Sequence, residues 1–236
     1  MMTRNALQLG WLATALIVTE SLAAQEIRQV PTRFEDFQSI LEAAGYTAYT
    51  FDLSAFEGQT WWISLVCRTY DHGELKGEVM LGAFSSRRTR EDFGSEEQWQ
   101  KIVHEGKAED PEHGVYRTSR KLTISTLPSR TDSIGRIHVS VQDAMRLNRN
   151  LDLHPIHFAE DPKPVYFYHA LPFKTSVLKE TKEDFIPLYL YGSGWLDERN
   201  NIIRFCGEKE IDPELSSEIL KYLPHYYILG LKYEKK

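Results

Sequence analysis

Asp152, His154 and His157 are the residues of this chain whose types and spacing come nearest to a metal centre. A divalent metal needs lone-pair donors converging from several directions, and two imidazoles with one carboxylate begin such a set. A site of that kind would serve a metal-assisted hydrolase. Pro155 stands between the two histidines and works against the helix that would set them on one face. No further ligand is identifiable, and a turn carrying partly exposed histidines accounts for the same residues.

The other candidates are weaker. His138 alternates with Arg136 and Ser140, so it is expected to face solvent or a polar groove. His169 shares a face with Val165, Phe167 and Leu171 and reads as a hydrogen-bonded core histidine rather than a base. Gly192-Ser193-Gly194 lacks the G-x-S-x-G spacing of a nucleophile elbow and reads as a bend in a strand. Glu160-Asp161 and Asp197-Glu198 fall in turns, whereas glycoside hydrolysis needs two carboxylates facing each other across a cleft. No catalytic residue is assigned, and no motif asks for a cofactor.

Aromatic residues make up 12% of the chain, and strand alternation sends about half of them outward from a half-buried sheet. Trp62 is the first candidate for a binding role. It lies on the face of Ser64 and Arg68, opposite Trp61, Ile63, Leu65 and Cys67. Exposed aromatics stack on sugars or anchor protein partners, although aromatics also simply favour strands.

The elements that must position these residues follow from periodicity and turn chemistry. Thr32 and Glu35 form a capping box ahead of Phe34, Phe37, Leu41 and Ala44, and Gly45 closes that helix. Strands are expected over 46–53 and 61–70, with 76–84 returning after the turn Asp71-His72-Gly73-Glu74. Ser95 with Gln98 starts a short helix carrying Trp99, Ile102 and Val103. A second hairpin joins 122–127 to 134–141, and 142–150 is open between strand and helix. Further strands are expected at 165–171 and at 185–191, the latter at an edge because of Pro187. A third hairpin spans 195–206. Asp212-Pro213 opens a helix with Leu215, Ile219, Tyr222 and Leu223 on its apolar stripe, and a strand over 226–233 closes the chain. The expected fold class is α+β: a mainly antiparallel sheet built from hairpins, covered by three short helices near 33–44, 95–105 and 213–223.

The first residues carry an address. Arg4, the uncharged apolar run Ala6 to Val18 and the small-residue junction Ala23-Ala24 form a signal peptide over 1–24, leaving one α+β domain over 25–236. The run of about thirteen apolar residues is shorter than the ~17–25 of a spanning helix, so no membrane span is expected after cleavage. The mature protein is expected to be exported, periplasmic or extracellular, with Ala24 or Gln25 first. In such a compartment Cys67 and Cys206 form either a disulfide or two separately buried thiols, and their spacing does not decide between them. The net charge of −6 gives no basic face for nucleic acid. Arg87, Arg88 and Arg90, followed by Glu91 and Asp92, read as a solvated loop.

Tyr191-Gly-Ser-Gly-Trp195, Ile203-Arg-Phe-Cys-Gly207, Ser216-Ser-Glu-Ile-Leu220 and Pro224-His-Tyr-Tyr-Ile-Leu-Gly230, behind an Ala-Gln-Glu junction, resemble a small family of uncharacterised exported proteins from Bacteroidetes-type bacteria. The resemblance implies an exported mixed α/β domain of unknown function and carries over no catalytic residue. The expected role is a non-catalytic binding or interaction module of the cell envelope with a protein or glycan partner. Its competitors are the secreted, metal-assisted hydrolase and a structural envelope subunit.

Overall fold

The computed structural model describes residues 31, 33, 37–127, 133–174, 185–205 and 207–236. The expected signal peptide, the Thr32–Glu35 capping box and Cys206 lie outside these residues. Fifteen strands occur in the described chain. The first eight are β1 (Thr47–Asp52), β2 (Trp61–Asp71), β3 (Glu74–Ser85), β4 (Arg87–Thr89), β5 (Val115–Thr118), β6 (Lys121–Leu127), β7 (Ile134–Val141) and β8 (Met145–Asp152). The others are β9 (Ile156–Phe158), β10 (Asp161–Val165), β11 (Tyr168–Pro172), β12 (Ile186–Ser193), β13 (Trp195–Asp197), β14 (Ile202–Arg204) and β15 (His225–Lys235). Two α-helices accompany them, α1 (Gln38–Ala43) and α2 (Glu96–His104).

Period-two patterning decides how the strands stack. In β7, Gly135, Ile137, Val139 and Val141 are buried while the residues between them are half-buried. Its partner β6 buries Leu122, Ile124 and Thr126 in the same alternation. These strands lie inside a four-stranded antiparallel sheet of order β1-β6-β7-β8. A five-stranded antiparallel sheet of order β11-β12-β15-β2-β3 faces it. Leu122, Ile124, Ile137 and Val139 from the first sheet share one core with Ile63, Leu65, Tyr189, Leu229 and Tyr233 from the second. The result is a β-sandwich, its inner faces supplied by alternate residues of both sheets.

The larger sheet is buried on its outer face as well. Tyr226 and Ile228 of β15 and Leu190 of β12 point away from the sandwich core and meet Ile211, Ile219, Leu220 and Leu223. β15 is therefore buried almost without alternation, as expected of a strand covered on both faces.

This architecture is mainly β and overturns the α+β expectation with three helices. The helix of the central stretch stands as α2, its Ser95 hydroxyl accepting from the Gln98 amide. The first helix is only six residues long in the described chain, and Gly45 at φ 83° ends it with a left-handed residue. The third is absent. Leu215 sits at φ 58° and only a 3-10 turn, Glu218–Lys221, forms. Asp212 spends its carboxylate on an Asx turn to the Glu214 amide at 2.9 Å, so the stripe of Ile219, Leu220 and Leu223 covers the sheet from an irregular segment.

Three local expectations also change. Pro187 lies in β12, an interior strand rather than an edge, and is accommodated where the register with β15 slips between Pro187 and Tyr189. Arg87–Thr89 is a strand paired with β5 rather than a loop. The stretch 142–150 is a tight turn, with Asp143 at φ 57°, leading into β8.

Cys67 is a free thiol in the sandwich core. Burial pushes it up from 9.0 to about 12. Native Cys67 is expected to react with a soluble thiol reagent on the order of a thousandfold more slowly than after unfolding, since the thiolate is the reactive form. Peptide mapping after timed labelling reads this, and rapid native labelling at Cys67 would contradict its burial. No helix of the described residues is long and apolar enough to cross a membrane.

Candidate functional site

At one end of the sandwich the two sheets part around a cleft of about 540 Å³. β1 supplies Thr47 and Tyr49, the facing ends of β6 and β7 supply Thr126 and Gly135, and β12 supplies Tyr191. Tyr166 and Phe167 precede β11, whose first residue Tyr168 completes the aromatic wall. The sequence places these rings because Tyr168, Ala170, Tyr189 and Tyr191 fall on the inward face of paired strands. Gly135 permits the closest approach: a Cβ there would stand 2.7 Å from Tyr191 Cε1 and 3.0 Å from Leu153 Cδ2. Glycine leaves the space that the Tyr191 ring occupies against β7. The Tyr49 hydroxyl donates to the Ala170 carbonyl at 3.3 Å and ties the two sheets beside the cleft. None of the described lining residues is Asp, Glu, Lys or Arg.

Behind Tyr168 lies a polar aromatic cluster. The Tyr168 hydroxyl lies 2.5 Å from His225 Nδ1 and accepts the His154 backbone N–H at 3.0 Å. The phenol oxygen thus serves the His154 amide and shares a hydrogen bond with Nδ1 whose direction follows the imidazole tautomer. The His154 ring stacks on His225 with centroids 3.7 Å apart, and Tyr227 meets His225 edge-on at 4.8 Å. Tyr227 donates its hydroxyl to the Asp152 carbonyl at 2.7 Å.

The electrostatics hold His225 and the phenols of this cluster uncharged at neutral pH. Burial, aided by the neighbouring His154, pushes His225 down from 6.5 to about 4. Burial raises the Tyr168 phenol and pushes Tyr191 and Tyr227 up to about 12. A phenol held protonated donates hydrogen bonds and is not an activated nucleophile. The chemistry available here is stacking and hydrogen bonding.

Of the sequence candidates, Asp152 and His154 reach this cluster, but through a backbone carbonyl, a backbone N–H and a stacked ring. His157 is exposed on β9 and makes no contact with that cluster. No three His, Cys, Asp or Glu side chains among the described residues are placed to hold a metal ion. His138 points outward as expected and pairs with Asn148 Oδ1 at 2.9 Å. His169 is an exposed residue at the cleft, not a core histidine; it meets Phe205 edge-on at 5.0 Å. Trp62 is 42% exposed on the outer face of β2, whereas Trp61 is 6% exposed in the core. Sequence reasoning missed His225: a single histidine after Pro224 at the start of β15 carries no signal until Tyr168 of β11 and His154 after β8 are folded beside it.

Fold and site together define a two-sheet antiparallel β-sandwich with an aromatic cleft at one end. The chain belongs to the DUF5041 family, a domain of unknown function, whose model matches residues 16–235. No curated protein and no solved structure matches the chain.

Proposed function

We propose that the mature chain is an exported, non-catalytic binding module of the cell envelope, of Bacteroidetes-type origin, which takes a neutral glycan in the cleft. The cleft carries the reading: rings of Tyr49, Tyr166, Phe167, Tyr168 and Tyr191 beside the hydroxyls of Thr47 and Thr126, with no Asp, Glu, Lys or Arg in the described lining. A sugar offers C–H faces to aromatic rings and hydroxyls to neutral polar groups, and it gains nothing from a fixed charge. Export is supported by Arg4, the apolar run and the Ala23-Ala24 junction, and origin by the motifs of the C-terminal third. This reading is favoured over a metal-assisted hydrolase at Asp152, His154 and His157, because the His154 ring is engaged with His225 and burial holds the Tyr168 phenol protonated.

Calorimetric titration of the mature chain with neutral oligosaccharides tests it. Tyr166→Ala and Phe167→Ala are each expected to weaken binding about tenfold, the loss of one aromatic contact worth roughly 1 kcal/mol, with the melting temperature little changed. Equal affinity in both variants, or binding confined to acidic glycans, would overturn the assignment of ligand to cleft. Stoichiometric zinc in protein purified without chelator, lost in His154→Ala or His157→Ala, would favour the hydrolase.

A further inference from the structure

Away from the cleft, β4 and β5 form a two-stranded ribbon in which Arg88 lies directly opposite Arg117. Side chains opposite each other in an antiparallel pair share a face, and two like charges there are destabilising. Both guanidiniums are held over aromatic rings. Arg88 stands 5.4 Å from the Phe93 centroid and 5.2 Å from that of Tyr116, and Arg117 stands 5.3 Å from Tyr116. Phe93 packs edge-on against Tyr116 at 5.2 Å and lies 5.9 Å from the buried Trp99 of α2, so the platform is anchored.

The acids nearby are committed elsewhere. Asp92 holds Lys236 Nζ at 2.8 Å and the Thr89 amide at 2.8 Å, and feels Arg88 only at longer range. Glu96 pairs with Arg90 at 2.5 Å, Glu105 with Lys107 at 2.6 Å, and Glu109 with Arg120 and the Thr118 amide. Neither Arg88 nor Arg117 has an ion-pair partner among the described residues, although these four acids all do. Arg88 is exposed and Arg117 half-buried, so the pair is open to a ligand.

We propose that Arg88 and Arg117 form an anion site for a phosphate dianion, independent of the aromatic cleft. Two full positive charges are matched by a group carrying about −1.5 to −2, whereas one carboxylate would leave half the repulsion in place. Each planar fork can meet two oxygens of a tetrahedral phosphate, and cation–π attraction to Phe93 and Tyr116 restricts the forks in advance. The phosphate is either free or carried on a larger ligand, and the two share this chemistry.

Heteronuclear NMR titration of the mature chain with inorganic phosphate, a hexose phosphate and acetate at constant ionic strength tests the site. Phosphate is expected to shift the Arg88, Arg117 and Tyr116 resonances, and Arg88→Gln and Arg117→Gln are each expected to weaken that binding about tenfold. The exposed Arg146→Gln on β8 serves as the control and leaves it unchanged. A hexose phosphate that binds more tightly than inorganic phosphate identifies a carried group, and equal affinity identifies the free ion. Because each Arg→Gln change removes like-charge repulsion, neither variant is expected to lose thermal stability. Acetate binding equal to phosphate at the same resonances, or phosphate binding untouched by both variants, would overturn the proposal.

Discussion

Trp61→Ala is expected to destabilise the protein by about 3–5 kcal/mol, and Trp62→Ala by well under 1 kcal/mol. The two residues are adjacent in sequence, and the pleat of β2 sends them to opposite faces. Trp61 packs edge-on against Phe56 at 6.2 Å and Tyr233 at 5.4 Å, inside the core shared by both sheets. Its backbone is tied to Ser86, whose hydroxyl accepts the Trp61 amide at 3.0 Å and whose amide donates to the Trp61 carbonyl at 2.9 Å. Truncation would leave a ring-sized cavity that this clamped strand cannot collapse to fill. The buried indole N–H finds no acceptor among the described residues, so Trp61→Phe is expected to cost much less than Trp61→Ala. For a chain of this size, thermal unfolding followed by circular dichroism would read the alanine change as roughly 10 °C and the Trp62 change as about 1–2 °C. Equal losses in the two variants would mean that the outer face around Trp62 is covered. Loss of capture of an envelope protein by Trp62→Ala alone would add that face to the recognition surface.

The opposed pair Trp61 and Trp62 was legible because a single physical rule, alternation on a pleated strand, decides it. The same rule placed the strands of the β2–β3 and β6–β7 hairpins. Where two rules competed, sequence reasoning went wrong. Asp212-Pro213 followed by spaced aliphatics satisfies a helix start, yet Asp212 caps an Asx turn and Leu215 turns left-handed, because covering the outer face of β12 and β15 is worth more than helix propensity. Pro187 suggested an edge, but a register slip lets an interior strand carry it. Arg87 to Asp92 read as a solvated charge run because local sequence does not disclose β5, whose residues pair with β4 from 26 or more positions downstream. The site was the least legible part. Its rings come from Tyr49, Tyr168, Tyr191 and Tyr227 on four strands of two sheets, and its histidine, His225, is distant in sequence from His154. Only pairing of β11 with β12 and of β12 with β15 brings them within contact.

That same pairing makes His225 a source of acid sensitivity. The histidine is 2% exposed, shares a hydrogen bond with the Tyr168 hydroxyl through Nδ1 and lies under the His154 ring. The groups facing it are Tyr168 from β11, Tyr227 from β15, Ser193 from β12, His154 after β8 and Asp71, its register partner on β2. Only Asp71 favours the charged form, and burial with His154 outweighs it, leaving His225 at about 4 against 6.5 in an unfolded chain. At neutral pH both states carry a neutral imidazole and the difference has no effect. As the pH falls below 6.5 the unfolded chain takes up a proton that the folded chain refuses, so stability declines until the folded form also titrates near 4. Over this window the loss attributable to His225 is expected to be about 1–2 kcal/mol by about pH 5, after allowance for water at the mouth of the cluster. Denaturant unfolding at a series of pH values, compared between the natural chain and His225→Gln, isolates the contribution, since the exposed carboxylates titrate alike in both. The variant starts less stable at neutral pH because Tyr168 and His154 lose their partner ring, and its curve then stays flatter as acid is added, so the two converge. Parallel curves from pH 7 to pH 5 would show that the folded protein accepts the proton at His225 freely, and that the Tyr168–His225 hydrogen bond does not hold the imidazole neutral.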